Sequence, residues 1–193
     1  MFGILWGHRA ERQAAKTLYA EIMRQSRDIT FFRDWSVPDT LDGRFDLVLL
    51  HSFLVLNRIG LEKSKFPLLS QCLFDAIFHD TERAIREMGV GDLSVSKHMR
   101  RMMKAFRGRV MAYHVAVQAN DDSALIESLR RNLYGTVADV PEETLKAMAQ
   151  YIRYAVDDLK LQQDDTLQKG VIDFGGQKNV AEKHTHDAAG MVA

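Results

Sequence analysis

Residues 87–109 read EMGVGDLSVSKHMRRMMKAFRGR. Gly89 is predicted to end one helix, because glycine is common just past a helix C-terminus. Gly91 lies in the loop that follows, and the Asp92 side chain is predicted to cap the first turn of a second helix. Apolar residues then recur every three or four positions, which is typical of an amphipathic helix. They are Met99, Met103, Phe106, Val110, Tyr113 and Val117.

This second helix also concentrates positive charge, although the whole chain has a formal net charge of zero. No acidic residue occurs in 93–119. The cations of the window are Lys97, Arg100, Arg101, Lys104, Arg107 and Arg109. Most of them lie off the apolar stripe, so the helix is expected to bury one face and present cations on the other. A solvated face and a partner-binding surface both fit, but solvated faces usually mix charges of both signs.

Gly108 interrupts the same helix. Glycine in a helix interior costs about 1 kcal/mol relative to alanine. Its presence is therefore expected to mark a close crossing with another helix.

The length and composition indicate a single globular domain. The chain has 193 residues, of which 46% are hydrophobic and 27% are charged, and its pI is near 7.1. The pI excludes a globally basic nucleic-acid binder, although not a local basic patch. The one cysteine permits no internal disulfide, which fits a reducing compartment. We expect a helical domain over 1–165 and a flexible C-terminal tail over 166–193.

The apolar periodicity along the chain predicts an all-α bundle of about six helices. Leu41–Ile59 is apolar nearly all round, which indicates a central helix, although a parallel-sheet strand is the rival interpretation. His51 lies within it and is expected to be a hydrogen-bonded core histidine. The other helices are predicted over 10–24, from Pro67 to about Gly89, from there to about Ala119, over 123–133, and from Pro141 onward.

The two ends of the chain leave alternatives open. The apolar segment 1–6 either packs on the body or acts as an interfacial anchor, and 171–174 could dock on the body. No signal peptide is visible, and no apolar run reaches the roughly 18 residues of a membrane span. The protein is therefore expected to be soluble.

The sequence contains no recognisable catalytic or metal-binding motif. Cys72 and His79 are about 10 Å apart along a helix, too far for a thiolate–imidazole pair. Asp75 and His79 supply only two candidate metal ligands. The glycines at 89 and 91 lack the third glycine and preceding strand of a dinucleotide loop. We therefore expect that the protein is not an enzyme and that it has no cofactor or metal site. Three classes of function remain: a binding or assembly protein, a nucleic-acid binder, and a helical protein whose basic face meets another subunit.

Several segments nevertheless resemble a known family. They are 74–100, running on to Phe106-Arg-Gly108-Arg109 and Tyr113, with 45–54 and 132–135 as further matching pieces. Together they resemble the ubiquinol–cytochrome c chaperone family over about residues 10–165. The short chain without a targeting presequence is typical of a bacterial member.

The resemblance implies an all-helical assembly factor, not an enzyme. Its client would be newly made cytochrome b, and its role the assembly of respiratory complex III. The family also implies a ribosome contact and a small partner protein as further partners, and no specific DNA binding. We expect a cytoplasmic protein, peripheral at the inner face of the plasma membrane. The basic face over 97–109 would contact ribosomal RNA, lipid headgroups or acidic client loops, with Met102 as an adaptable apolar contact. The alternative is a helical RNA- or ribosome-binding protein that uses the same helix.

Overall fold

The computed structural model describes residues 2–60, 65–89 and 91–175; the side chains of 2–8 and of Leu93 lie outside that description. This part of the chain forms eight helices and no strand. The helices are α1 (Phe2–Gln25), α2 (Ile29–Arg33), α3 (Leu41–Ile59), α4 (Pro67–Glu87), α5 (Asp92–Gln118), α6 (Asp122–Asn132), α7 (Glu142–Leu161) and α8 (Asp164–Gln168). The predicted all-α class is confirmed. The six longer helices are the six predicted ones, and the five-residue α2 and α8 were not predicted.

Helix α3 is the centre of the bundle. Its N-terminus is capped by the Thr40 hydroxyl, which accepts a hydrogen bond from the Gly43 N–H at 3.1 Å. Every residue from Leu47 to Leu56 is buried, because α3 packs against α1, α5 and α7. The interpretation of 41–59 as a buried central helix is therefore confirmed, and the strand interpretation is wrong.

His51 is a satisfied core histidine, as predicted. Its Nδ1 lies 2.8 Å from the Leu47 carbonyl oxygen, which can only accept, so Nδ1 carries the proton. Nε2 lies 2.7 Å from the Tyr151 hydroxyl and accepts its hydrogen bond. The Ser26 hydroxyl lies 3.1 Å from Nδ1. Burial lowers the pKa of His51 to about 4, because a buried charged imidazole loses its hydration. The ring therefore stays neutral and joins α3 to α7.

The C-terminal end of the described chain packs on the body. Leu167, Ile172 and Phe174 are all buried, and the Phe174 ring meets the His51 ring edge to face at 5.1 Å between centroids. The packed region thus reaches Phe174, beyond the boundary at 165 predicted from sequence, and the docking of 171–174 is observed. The rest of the predicted tail, 176–193, lies outside the described residues.

Arg58 secures this C-terminal segment to α3. Its guanidinium donates to the Leu159 carbonyl at 2.6 Å, to the Gln162 carbonyl at 2.7 Å and to an Asp164 carboxylate oxygen at 2.8 Å. The two carbonyls lie at the end of α7, where backbone acceptors lack helical partners. Arg58 therefore satisfies the end of α7 and holds the start of α8.

Helix α1 begins at Phe2, eight residues before the predicted start at Ala10. The two interpretations of the apolar segment 1–6 concern Met1 and side chains that lie outside the described part of the chain. Among the helices described, none combines the length and the apolar character needed to cross a membrane.

Candidate partner-binding surface

The inner face of α5 forms part of the core. Phe106, Val110, Tyr113 and Val117 are buried, and Met99 and Met103 are partly buried against them. The predicted apolar stripe is therefore confirmed. Since it fixes which side of α5 faces inward, it also fixes which side chains face outward.

Five of the six predicted partner-binding cations lie on the outer face of α5. Lys97, Arg100, Arg101, Lys104 and Arg107 are all exposed. None of them forms an ion pair or a hydrogen bond with another described side chain. At 1.5 Å per residue they follow about 15 Å of helix axis. We call these five residues the basic face.

Arg109, the sixth predicted cation, is placed differently. Its Nη1 lies 2.5 Å from a carboxylate oxygen of Asp46 on α3, and the exposed fractions of the two side chains are 27% and 14%. Position 109 is at the edge of the buried stripe, which turns its side chain toward α3. Burial raises the pKa of Asp46 to about 7, although the Arg109 guanidinium opposes this rise. Arg109 therefore belongs to the α3–α5 contact and not to the basic face.

The loop before α5 differs from the prediction at one residue. Gly89 has a φ of +80°, a left-handed conformation that glycine adopts without strain. Gly91 is the N-cap residue of α5, and Asp92 is the first helical residue, with no side-chain cap. The Asp92 carboxylate accepts a hydrogen bond from Arg86 on α4 instead. Asp92 thus ties α5 to α4 and places a negative charge in the first turn of α5, which suits the helix dipole.

The outer face of α5 continues past the cations with apolar residues. Met111 is 43% exposed and Val115 is 60% exposed, whereas Met102, predicted to be exposed, is partly buried. Gly108 lies between the cations and these apolar residues, and a Cβ built on it would meet nothing within 4 Å. The close helix crossing expected at Gly108 is therefore not found among the described residues. Sequence reasoning missed Met111 and Val115, although their positions opposite the buried stripe could have revealed them.

Among the described residues, those considered for catalysis or metal binding lie apart from one another in function and environment. Cys72 is buried, and burial raises the pKa of its thiol. The Asp75 carboxylate accepts a hydrogen bond from Gln71 at 2.7 Å, and His79 is exposed. Within the described residues, no three histidine, cysteine, aspartate or glutamate side chains are grouped to hold a metal ion. His184 and His186, the other histidines that the sequence offers as metal ligands, lie outside the described part. The cations of the basic face, in contrast, can attract an anionic partner and donate hydrogen bonds to it.

The sequence pattern that defines the ubiquinol–cytochrome C chaperone family matches residues 33–174, which include α5 and its loop. The chain belongs to this family. The match ends at the buried Phe174, so the docked C-terminal segment is part of the family domain.

Similar proteins from animals and yeast support this family assignment. The ubiquinol-cytochrome-c reductase complex assembly factor 1 of Xenopus laevis is 28% identical over 143 residues, which are 74% of this chain and 70% of the relative. The mitochondrial protein CBP3 of Saccharomyces cerevisiae is 27% identical over 125 residues, which are 63% of this chain and only 37% of the yeast protein.

A solved structure shares the fold. The crystal structure of the Cbp3 homolog from Brucella abortus aligns with a TM-score of 0.76 and 31% sequence identity. The alignment covers 90% of this chain and 98% of that one. This bacterial relative therefore has nearly the same extent as the domain described above.

Proposed function

We propose that this protein is a chaperone that binds newly made cytochrome b and assists assembly of ubiquinol–cytochrome c reductase. Its family consists of assembly chaperones, and its animal relatives are named as assembly factors of that complex. The proposal adds the client. Cytochrome b is a membrane protein that has to be held until its haem and its partner subunits arrive. Holding such a client needs a binding surface and no catalytic group, cofactor or metal.

The basic face is the proposed contact surface, and its unpaired charge is the observation that carries the proposal. Elsewhere on the protein, exposed cations commonly pair with a carboxylate a turn away, as Arg86 does with Glu82 at 2.8 Å and Arg130 with Glu127 at 3.4 Å. Five like charges without such pairs repel one another, because helix neighbours lie three and four residues apart. An anionic partner removes this repulsion when it binds.

The same surface suits the place where this client is made. We propose that the protein acts in the cytoplasm, peripherally at the inner face of the plasma membrane, where anionic headgroups attract nearby basic residues by about 1 kcal/mol each. The ribosome and a small partner protein are further proposed partners. Specific DNA recognition is not proposed.

The alternative function is RNA or ribosome binding through the basic face, because phosphates would also pair with these cations. Single-stranded RNA is usually held by exposed aromatic side chains on which bases stack. The aromatic residues of α5, Phe106 and Tyr113, are buried and cannot supply that contact. We therefore rank this function second.

Co-purification from gently solubilised cells tests the two functions. The tagged protein is compared with the triple variant Arg100→Glu, Arg101→Glu, Lys104→Glu. A matched control, Arg9→Glu, Arg12→Glu, Lys16→Glu, makes the same charge change at exposed positions of α1. We expect cytochrome b with the wild type and the control, and at least a tenfold loss with the α5 variant. Equal recovery with all three proteins would refute the proposed surface. Recovery of RNA without cytochrome b would favour the alternative.

A further inference from the structure

Gly108 occupies the outer face of α5, and nothing in the described part of the fold requires a glycine there. It lies in the middle of a regular helix, its φ is not positive, and a Cβ built there would meet nothing within 4 Å outside its own helix backbone. Glycine is among the poorest helix formers. The described part of the fold thus gains nothing from the missing side chain, and the helix is weakened by it. A partner that approaches the backbone closely would account for this glycine.

The surface around Gly108 changes character along the helix. At 100° per residue, Lys104, Gly108, Met111 and Val115 fall within about 60° of one another, so they share one line along α5. Cations occupy this line before Gly108, and exposed apolar side chains occupy it after Gly108. From Lys97 to Val115 the line is about 27 Å long at 1.5 Å per residue. This length is five turns of helix.

We propose that the outer face of α5 docks an amphipathic helix of a partner protein that crosses α5 at Gly108. The inference deepens the proposed function and rests on it for the view that α5 is the contact surface. The partner helix sets carboxylates against the basic face and apolar side chains against Met111 and Val115. Two helix axes approach most closely where the side chains at the crossing are small, and glycine permits the closest approach of all.

Other occupants match the surface less well. Phosphates of RNA and lipid headgroups would pair with the cations, but neither gains from a glycine in the middle of the line. The C-terminal residues 176–193 contain two carboxylate side chains, Glu182 and Asp187, and two lysines. That segment therefore lacks the charge to neutralise five cations. A helix with three or four carboxylates on one face has the complementary charge.

Site-specific photo-crosslinking in cells tests the proposal with the full chain. A benzophenone amino acid replaces Met111, and the crosslinked residues are mapped by mass spectrometry. We expect a protein segment with helical periodicity and carboxylates spaced three or four residues apart. Gly108→Leu should lower the crosslink yield at least fivefold. The matched control Ala84→Leu, which places the same leucine side chain at an exposed position of α4, should leave the yield unchanged.

Gly108→Ala separates binding from folding because it moves the two readouts in opposite directions. Alanine is the better helix former, so the melting temperature should rise, while the added methyl group at the crossing lowers the crosslink yield. Crosslinks only to RNA, to lipid or to a second copy of this chain would overturn the proposal. A yield insensitive to Gly108→Leu would overturn it as well.

The same experiment keeps this inference apart from the proposed function. A crosslinked acidic helix that belongs to a protein other than cytochrome b, with the expected dependence on Gly108, would support the docking mode and refute the proposed client. Cytochrome b that co-purifies in a manner dependent on the basic face but independent of Gly108 would support the client and refute the docking mode.

Discussion

Arginine has two different roles in this protein. Arg58 and Arg153 are each built into the fold: Arg58 holds the end of α7, and Arg153 donates to the Val117 carbonyl at 2.9 Å and to Asp122 at 3.0 Å. Arg100 and Arg101 have no described partner. The first kind donates hydrogen bonds to backbone carbonyls at helix ends, and the second kind forms no ion pair or hydrogen bond with the described side chains. The difference teaches that charge count alone does not separate a cation that holds the fold from one that is available to a partner.

The largest expected effect concerns a partly buried arginine. Arg58→Ala removes three charge-assisted hydrogen bonds from a side chain that is only 12% exposed, and should lower the free energy of unfolding by about 3 kcal/mol. Urea denaturation of the variant measures this change. Arg101→Ala is the matched control and should stay close to wild type. Equal stability of the two variants would contradict the division between the two kinds of arginine.

His51 gives the core its own pH dependence. Its folded pKa of about 4 lies below the ordinary value of 6.5, so the unfolded chain binds more protons between pH 6.5 and 4. This contribution to stability is therefore lost as the pH falls through that window. The His51→Gln variant has no titratable side chain at this position. The difference in unfolding free energy between wild type and variant should therefore shrink by about 2 to 3 kcal/mol between pH 7.5 and 4.5. A difference that does not change with pH would show that His51 does not stay neutral in the core.

Arg109 lies between the two kinds of arginine, and the effect of replacing it should also shrink as the pH falls. Arg109→Gln leaves the Asp46 carboxylate without its cation, which should lower the free energy of unfolding by about 2 kcal/mol at pH 8.5, where Asp46 is ionised. At pH 5.5 the effect should nearly vanish, because Asp46, with a pKa of about 7, is then mostly protonated. Chemical denaturation at both pH values measures this. Asp46→Asn is the control and should abolish the pH dependence.

The smallest effect on folding is expected on the basic face. Arg101→Ala should change the free energy of unfolding by less than about 0.5 kcal/mol, as do most exposed substitutions away from structural contacts. Removing one of five repelling charges should stabilise the protein slightly at low salt, and added salt should diminish that gain. A loss above 1 kcal/mol would reveal an internal role for Arg101.

The fold could be predicted where the sequence repeats a physical pattern. The apolar run of α3 and the stripe of α5 are long enough to reveal both the helices and their buried faces. Helices α2 and α8 were missed because five residues are too few to establish a periodicity. The end of the domain was placed too early because Leu167, Ile172 and Phe174 are separated by polar residues and glycines. Their burial depends on tertiary contacts, such as that of Phe174 with His51.

The candidate surface was only partly predictable, for a similar reason. Helical spacing identified the five cations of the basic face. Spacing could not show that Arg109 pairs with Asp46 across 63 positions of sequence. Nor could it show that Asp92 pairs with Arg86 instead of capping its own helix. The sequence also could not show whether another helix of this protein crosses α5 at Gly108. Only the structure shows that no described neighbour occupies the space beside it.

Replacement of the endogenous protein by the triple variant Arg100→Glu, Arg101→Glu, Lys104→Glu tests the central claim most directly. The variant's level and melting temperature are measured together with the amount of assembled ubiquinol–cytochrome c reductase. The account predicts that a folded variant accumulates normally while the assembled complex falls at least severalfold. The α1 control, Arg9→Glu, Arg12→Glu, Lys16→Glu, should support normal assembly. Normal assembly with the α5 variant would contradict the account and show that the basic face is a solvated surface.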